Sequence, residues 1–196
     1  WVTVAVLLVV GVAVYLVTRK KSSKKSFWTA KTMAVGAMCM ALSSVLSLIK
    51  LWSMPMGGSV TPASMLPLLL FAYCYGVGPG MVLGALYGVM QFLLDGMAWA
   101  ALGAIPNAFG LLGLAGCFRG SKAKMTAGFV LGCFGRFMAS FLSGFIFYGQ
   151  YAPEGVNPVW YSLTYNGSYM LVECIICIAL GLLVGERLAK ELKKVA

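Results

Sequence analysis

The chain has 196 residues, 61% of them hydrophobic and only 10% charged, with a mean hydropathy of +0.90. Soluble domains carry roughly a quarter charged residues, so this composition excludes an ordinary soluble domain and reads as an integral membrane protein. The net charge of +10 does not point to nucleic acid, because the fifteen cations sit mostly in short runs between apolar segments, as the positive-inside bias places them.

Apolar runs long enough to cross a hydrocarbon core of about 30 Å fall at 1–17, 27–49, 60–77, 81–95, 100–118, 125–148 and 160–185. The first lacks a basic n-region and an A-x-A site, so residues 1–18 read as an extra membrane anchor rather than a signal peptide. A basic cytoplasmic linker follows at 19–26, then a six-helix membrane domain at 27–186 and a basic cytoplasmic tail at 187–196. The expected fold is therefore all-α: a multi-pass bundle of six transmembrane helices in the cell membrane, plus one N-terminal anchor.

The runs are separated by charge or turn chemistry, in "RKKSSKK", "KLWSMPMGGS", "GVGPG", "DGMAWA", "RGSKAK" and "GQYAPEGVNP". Cations cluster at 19–25, at Arg119, Lys122 and Lys124, and at Arg187, Lys190, Lys193 and Lys194, alternating correctly for cytoplasmic loops. Lys50 alone falls clearly on the other side, with loops 51–59, 95–99 and 149–159. Small residues recur four apart at Ala37/Ala41, Gly84/Gly88, Gly128/Gly132 and Gly181/Gly185, a spacing that lets helix backbones approach closely, within the bundle or against a partner.

Catalysis finds little support. The chain has no histidine and no Walker A motif, and no two carboxylates share a segment at a spacing suited to acid–base work. We read no catalytic residue, no metal site and no cofactor; the chain is not an enzyme. The six cysteines lie in apolar runs, where they act as small hydrophobes, and the C-x-x-C pair Cys174 and Cys177 lacks the partners of a metal site. Of five carboxylates, Glu186 and Glu191 share the basic tail. Glu173 lies inside the last helix, seven residues after Asn166 and so on the same face. A carboxylate at that depth faces either a ligand cavity or an ion-pair partner, for which Arg136 is the candidate.

Residues 147–173, "FYGQYAPEGVNPVWYSLTYNGSYMLVE", gather five tyrosines, a tryptophan and two asparagines between apolar runs, at the outer mouth of the bundle. Tyr148, Tyr151, Trp160, Tyr161, Tyr165, Tyr169 and Trp99 offer ring faces for stacking or for a cation, and Gln150, Asn157 and Asn166 offer hydrogen bonds. An interfacial aromatic belt accounts for Trp52 and Trp99, but not for asparagines and a glutamate running inward beside tyrosines.

That stretch, with "SMPMGGSV" after the second apolar run and "AFGLLGLAG" in the fifth, resembles the thiamin-specific S-components of energy-coupling factor (ECF) transporters over about residues 30–185. The resemblance implies a six-helix subunit that captures a vitamin from outside and docks, within the lipid, onto a transmembrane coupling protein driven by two ATPases. It implies that the A-x-x-x-A face Ala37/Ala41 is the docking surface, and that Tyr161, Asn166 and Tyr148 belong to the substrate site, with Trp160, Tyr165, Trp99 and Glu173 as further candidates. Two family positions differ: Ala104 and Ile105 stand before Pro106 where relatives have an acidic residue and tyrosine, and Ser140 stands where they have histidine. Glu173 or Asp95 would have to replace the missing negative charge opposite a thiazolium cation. Otherwise the ligand is a thiamin precursor, another flat heterocycle or a quaternary amine, or the bundle is a non-transporting scaffold.

Overall fold

The computed structural model describes residues 28–54, 58–95, 109–147, 152–153 and 155–195. Within them the chain runs as helix α1 (Ala30–Leu48), a short hairpin of β1 (Trp52–Ser53) and β2 (Ser59–Val60), α2 (Leu66–Tyr75), α3 (Val77–Asp95), a 3₁₀ segment (Leu111–Cys117), α4 (Lys122–Phe147), α5 (Pro158–Leu180), a π turn (Gly181–Gly185) and α6 (Glu186–Val195). Four of these helical stretches are long and apolar enough to cross a membrane: 30–48, 77–94, 122–146 and 158–194. The proposed anchor at 1–18 and linker at 19–26 lie outside the described residues.

Two of the apolar runs take a form that hydropathy does not reveal. The run at 60–77 begins with a strand residue and a turn; its helix is only Leu66–Tyr75, started by Pro67, whose missing N–H costs nothing in a first helical turn. Every residue from Leu66 to Tyr73 is buried, so α2 is apolar all round because it is a central post with neighbours on all sides. The described part of the run at 100–118 is largely the 3₁₀ segment "LLGLAGC". It is squeezed between α3 and α4: a β-carbon at Gly128 would lie 2.5 Å from the Ala115 carbonyl oxygen, and one at Gly113 would collide with Met81. Glycines read as four-spaced packing faces thus serve close contact within the bundle.

The last run is continuous. The buried positions Ser162, Asn166, Met170, Glu173, Cys177, Gly181, Gly185 and Ala189 follow one another at steps of four or three along α5, the π turn and α6. A π turn holds more residues than an α turn, so the unbroken four-residue steps from Cys177 to Ala189 stay on one face. At Gly181 a β-carbon would approach the Phe129 ring to 2.6 Å, which is why this close crossing with α4 falls on a glycine.

The two ends of the bundle differ in charge. Lys122 Nζ lies 3.6 Å from Glu186 Oε2, bringing the start of α4 against the start of α6. At the same end Arg119 donates to the Cys74 carbonyl at 3.3 Å, the Tyr75 hydroxyl donates to the Leu192 carbonyl at 3.0 Å, and Lys193 sits over the Tyr73 ring. Residues 186–195 are therefore helical and packed under α2, with Ala189 buried. The hairpin and the first turn of α5 lie at the opposite end.

Candidate functional site

The site is built from α5 outward. Asn157 caps α5 by accepting the Val159 N–H at 2.9 Å, with Pro158 in the first turn, so this asparagine starts the helix. Trp160 in that turn faces outward, 62% exposed, while Tyr161, Tyr165 and Tyr169 are half-buried and form a ladder with successive ring centroids 6.0 Å apart. One step round the helix, Asn166 and Glu173 share the buried face, as their spacing requires.

Asn166 is engaged within the protein. Its amide nitrogen donates to the Ser162 carbonyl at 2.9 Å and its oxygen accepts from the Tyr169 hydroxyl at 3.1 Å. Ser162 in turn donates to the Phe141 carbonyl of α4 at 2.7 Å. Gly144 of α4 makes room for both, since a β-carbon there would collide with Ser162 and lie 2.9 Å from the Asn166 amide.

The hairpin lies over this ladder. The Trp52↔Val60 and Ser53↔Ser59 pairs bring Gly58 onto α5, where its N–H donates to the Tyr165 hydroxyl at 3.4 Å. A β-carbon at Gly58 would stand 2.8 Å from the Tyr169 ring, so no larger residue fits between strand and ladder without displacement.

Glu173 is 1% exposed. Thr61 and Ser64, in the turn between β2 and α2, both donate to its Oε1, at 2.5 and 2.8 Å. Its Oε2 lies 3.5 Å from Arg136 Nη1 of α4. The guanidinium also stands 4.2 Å over the Phe109 ring, a cation–π contact. These groups border a polar cavity of about 40 Å³ lined by Lys50, Gln91, Arg136, Glu173, Phe109 and hydroxyls from Ser47, Ser59, Thr61 and Ser64. A cavity needs about 10–15 Å³ of such volume to hold a water molecule, so this one has room for water.

The structure thus brings Tyr161, Tyr165, Asn166 and Glu173 into one region and leaves Trp160 on its outer surface. Tyr148, Trp99, Tyr151, Gln150 and the 104–106 positions lie outside the described residues, as does the side chain of Asp95. Ser140 is half-buried on α4, one turn from Arg136. Thr61, Ser64, Gln91 and Phe109 were not singled out from the sequence; the only signal is a hydroxyl-rich "TPAS" opening an otherwise apolar run. Ala37 and Ala41 are both exposed on α1, on the face that also carries Met33, Met38 and Val45. Among the described residues no group of three or more metal-ligating side chains comes together.

Fold and site define a helical, multi-pass membrane protein with a polar chamber inside its bundle. A family model described as "Thiamine transporter protein (Thia_YuaJ)" matches residues 33–192, and the chain belongs to that family. It is 36% identical over 143 residues to the thiamine transporter ThiT of Bacillus subtilis, covering 64% of this chain and 73% of that protein. It is 34% identical over 116 residues to ThiT of Lacticaseibacillus paracasei, covering 53% and 51% respectively. The fold matches a solved structure of ThiT from Listeria monocytogenes with a TM-score of 0.72 at 20% identity, over 82% of this chain and 96% of that one.

Proposed function

We propose that this chain is the substrate-binding membrane subunit of an ECF-type uptake transporter, taking thiamin or a close relative from the extracytoplasmic side. The observation that carries the reading is the chamber of Arg136, Glu173 and Gln91, with the Tyr161–Tyr165–Tyr169 ladder on the helix that supplies Glu173, toward the end of the bundle opposite the basic loops. Flat rings beside fixed hydrogen-bonding groups suit a flat, polar heterocycle, and the relatives named as thiamine transporters supply its identity. Ligand pockets of this kind run to about 300 Å³ or more, against about 40 Å³ here, so entry of a vitamin requires the chamber to widen.

Coupling belongs to the same proposal. The Ala37/Ala41 face of α1 is open to the lipid side and small enough for a second helix to approach closely, which suits docking onto a transmembrane coupling protein served by two ATPases.

One observation favours a second ligand class. Arg136 and Lys50 both line the chamber against the single carboxylate Glu173, so a neutral flat heterocycle meets less repulsion than thiazolium does. Calorimetry of the purified protein against thiamin, its neutral pyrimidine precursor and other B vitamins tests both readings. Thiamin binding that drives uptake only in cells holding the coupling proteins supports the first. Binding of the neutral precursor alone moves the assignment to the second, and binding of neither overturns both.

A further inference from the structure

The turn between β2 and α2 carries a backbone feature that the binding reading leaves unused. Ala63 has φ 68°, the only left-handed non-glycine backbone among the described residues. A β-carbon crowds the backbone in that conformation, which persists only where surrounding contacts hold it. Here the holding contacts are specific. The Ala63 N–H donates to the Thr61 carbonyl at 2.8 Å, the Ser64 N–H donates to Thr61 Oγ1 at 3.2 Å, and both hydroxyls end on one oxygen of Glu173.

On one side of this turn stands α2, buried from Leu66 to Tyr73 and unable to shift without disturbing the core. On the other runs β2, next to Gly58, which touches Tyr165 and Tyr169. The conformation of residues 61–64 therefore determines where the strand lies relative to the ladder. Glu173 grips that turn from α5 while its second oxygen faces Arg136 on α4, so one carboxylate links the turn to two of the helices that line the chamber.

We propose that Glu173 is a positioning residue rather than a ligand contact: with Thr61 and Ser64 it latches the strained turn, and the latch sets how readily β2 leaves the tyrosine ladder so that the chamber can widen. The inference rests on the binding reading for the ligand's presence, but the latch itself is a property of the unliganded protein. Thr61 is the residue to vary, because Thr61→Val keeps its shape without the hydroxyl and Thr61→Ser keeps the hydroxyl.

The test is amide hydrogen exchange on the full chain in nanodiscs, without ligand, comparing peptides over 50–60 with peptides over 122–147, followed by stopped-flow mixing with thiamin. The Thr61 hydroxyl makes two buried hydrogen bonds, to Glu173 and from the Ser64 N–H, and loss of one such bond already corresponds to about a tenfold change in an opening equilibrium, so Thr61→Val should speed hairpin exchange at least about tenfold, leave α4 unchanged, and be reversed by Thr61→Ser. Association and dissociation of thiamin should both quicken in Thr61→Val, with a smaller change in their ratio. Hairpin exchange equal to the parent's, failure of Thr61→Ser to restore it, or equal loosening of α4 would overturn the latch. If Thr61→Val does not fold, Ser64→Ala should give the same pattern with smaller amplitude, and an unchanged hairpin there overturns it too. Hairpin loosening in a protein that binds no thiamin supports the latch and removes the binding reading; tight thiamin binding with an unaltered hairpin does the reverse.

Discussion

Arg136 Nη1 stands 3.5 Å from Glu173 Oε2 across the α4–α5 interface, with the two side chains 12% and 1% exposed. Both hydrogen bonds that the acid accepts, from Thr61 and Ser64, fall on Oε1, whereas Arg136 Nε and Nη1 form no hydrogen bond within the protein. The guanidinium thus keeps open donors where Arg136 borders the chamber. A ligand offering an acceptor would find its donors there rather than a free negative charge.

Removing one member of this pair should cost more than removing both. Arg136→Met strands a carboxylate deep in the bundle, and breaking a buried ion pair in this way costs about 3–5 kcal/mol. Adding Glu173→Gln to Arg136→Met removes the stranded charge and should recover most of the loss. Thermal unfolding of the single and double variants in one detergent measures this, and strictly additive effects would show that the two residues do not interact.

Charge discrimination follows from the same geometry. Because Arg136 already compensates Glu173, Glu173→Gln should weaken thiamin and its neutral pyrimidine precursor to a similar extent, by about tenfold, or about 1.4 kcal/mol. Calorimetric titration with both compounds decides the point. A loss confined to thiamin would make Glu173 the counter-charge of the thiazolium.

The ladder and its strand should respond to single atoms. Tyr169→Phe deletes the hydroxyl that Asn166 accepts and should weaken binding by about 0.5–1.5 kcal/mol, while Asn166→Ala, which also breaks the tie to Ser162, should cost about 1–3 kcal/mol. Gly58→Ala places a methyl 2.8 Å from the Tyr169 ring and should push the strand off the ladder. Titrations of the three variants would rank them; unchanged affinity in all three would reduce the cluster to an interfacial belt.

Docking should separate from binding. Ala37→Trp or Ala41→Trp fills the open face of α1 without reaching the chamber, so uptake of labelled thiamin should vanish while the affinity of the isolated subunit stays within about twofold of the parent. Parallel loss of binding would place this face inside the bundle's own packing.

Hydropathy and charge by themselves determined that this chain is a helical membrane protein, because spanning a hydrocarbon core demands long apolar runs with internally satisfied backbones. The spacing of Asn166 and Glu173 likewise determined their shared face, since helical geometry is local and periodic. The resemblance carried by residues 147–173 pointed to the family that the comparison over residues 33–192 establishes. What only the tertiary structure decided is who meets whom. Glu173 accepts from Thr61, 112 residues away, and Gly58 lies against Tyr165, 107 residues away, and no local pattern encodes such pairings. The brevity of α2 and the 3₁₀ form of Leu111–Cys117 were equally hidden, because an apolar run reports burial but not the backbone path it takes. Arg136 was legible as a partner for Glu173 because a buried carboxylate needs a cation and helix α4 offers one at depth; that both hydrogen bonds to the acid fall on Oε1 and that open donors remain on the arginine depends on side-chain directions that packing alone sets.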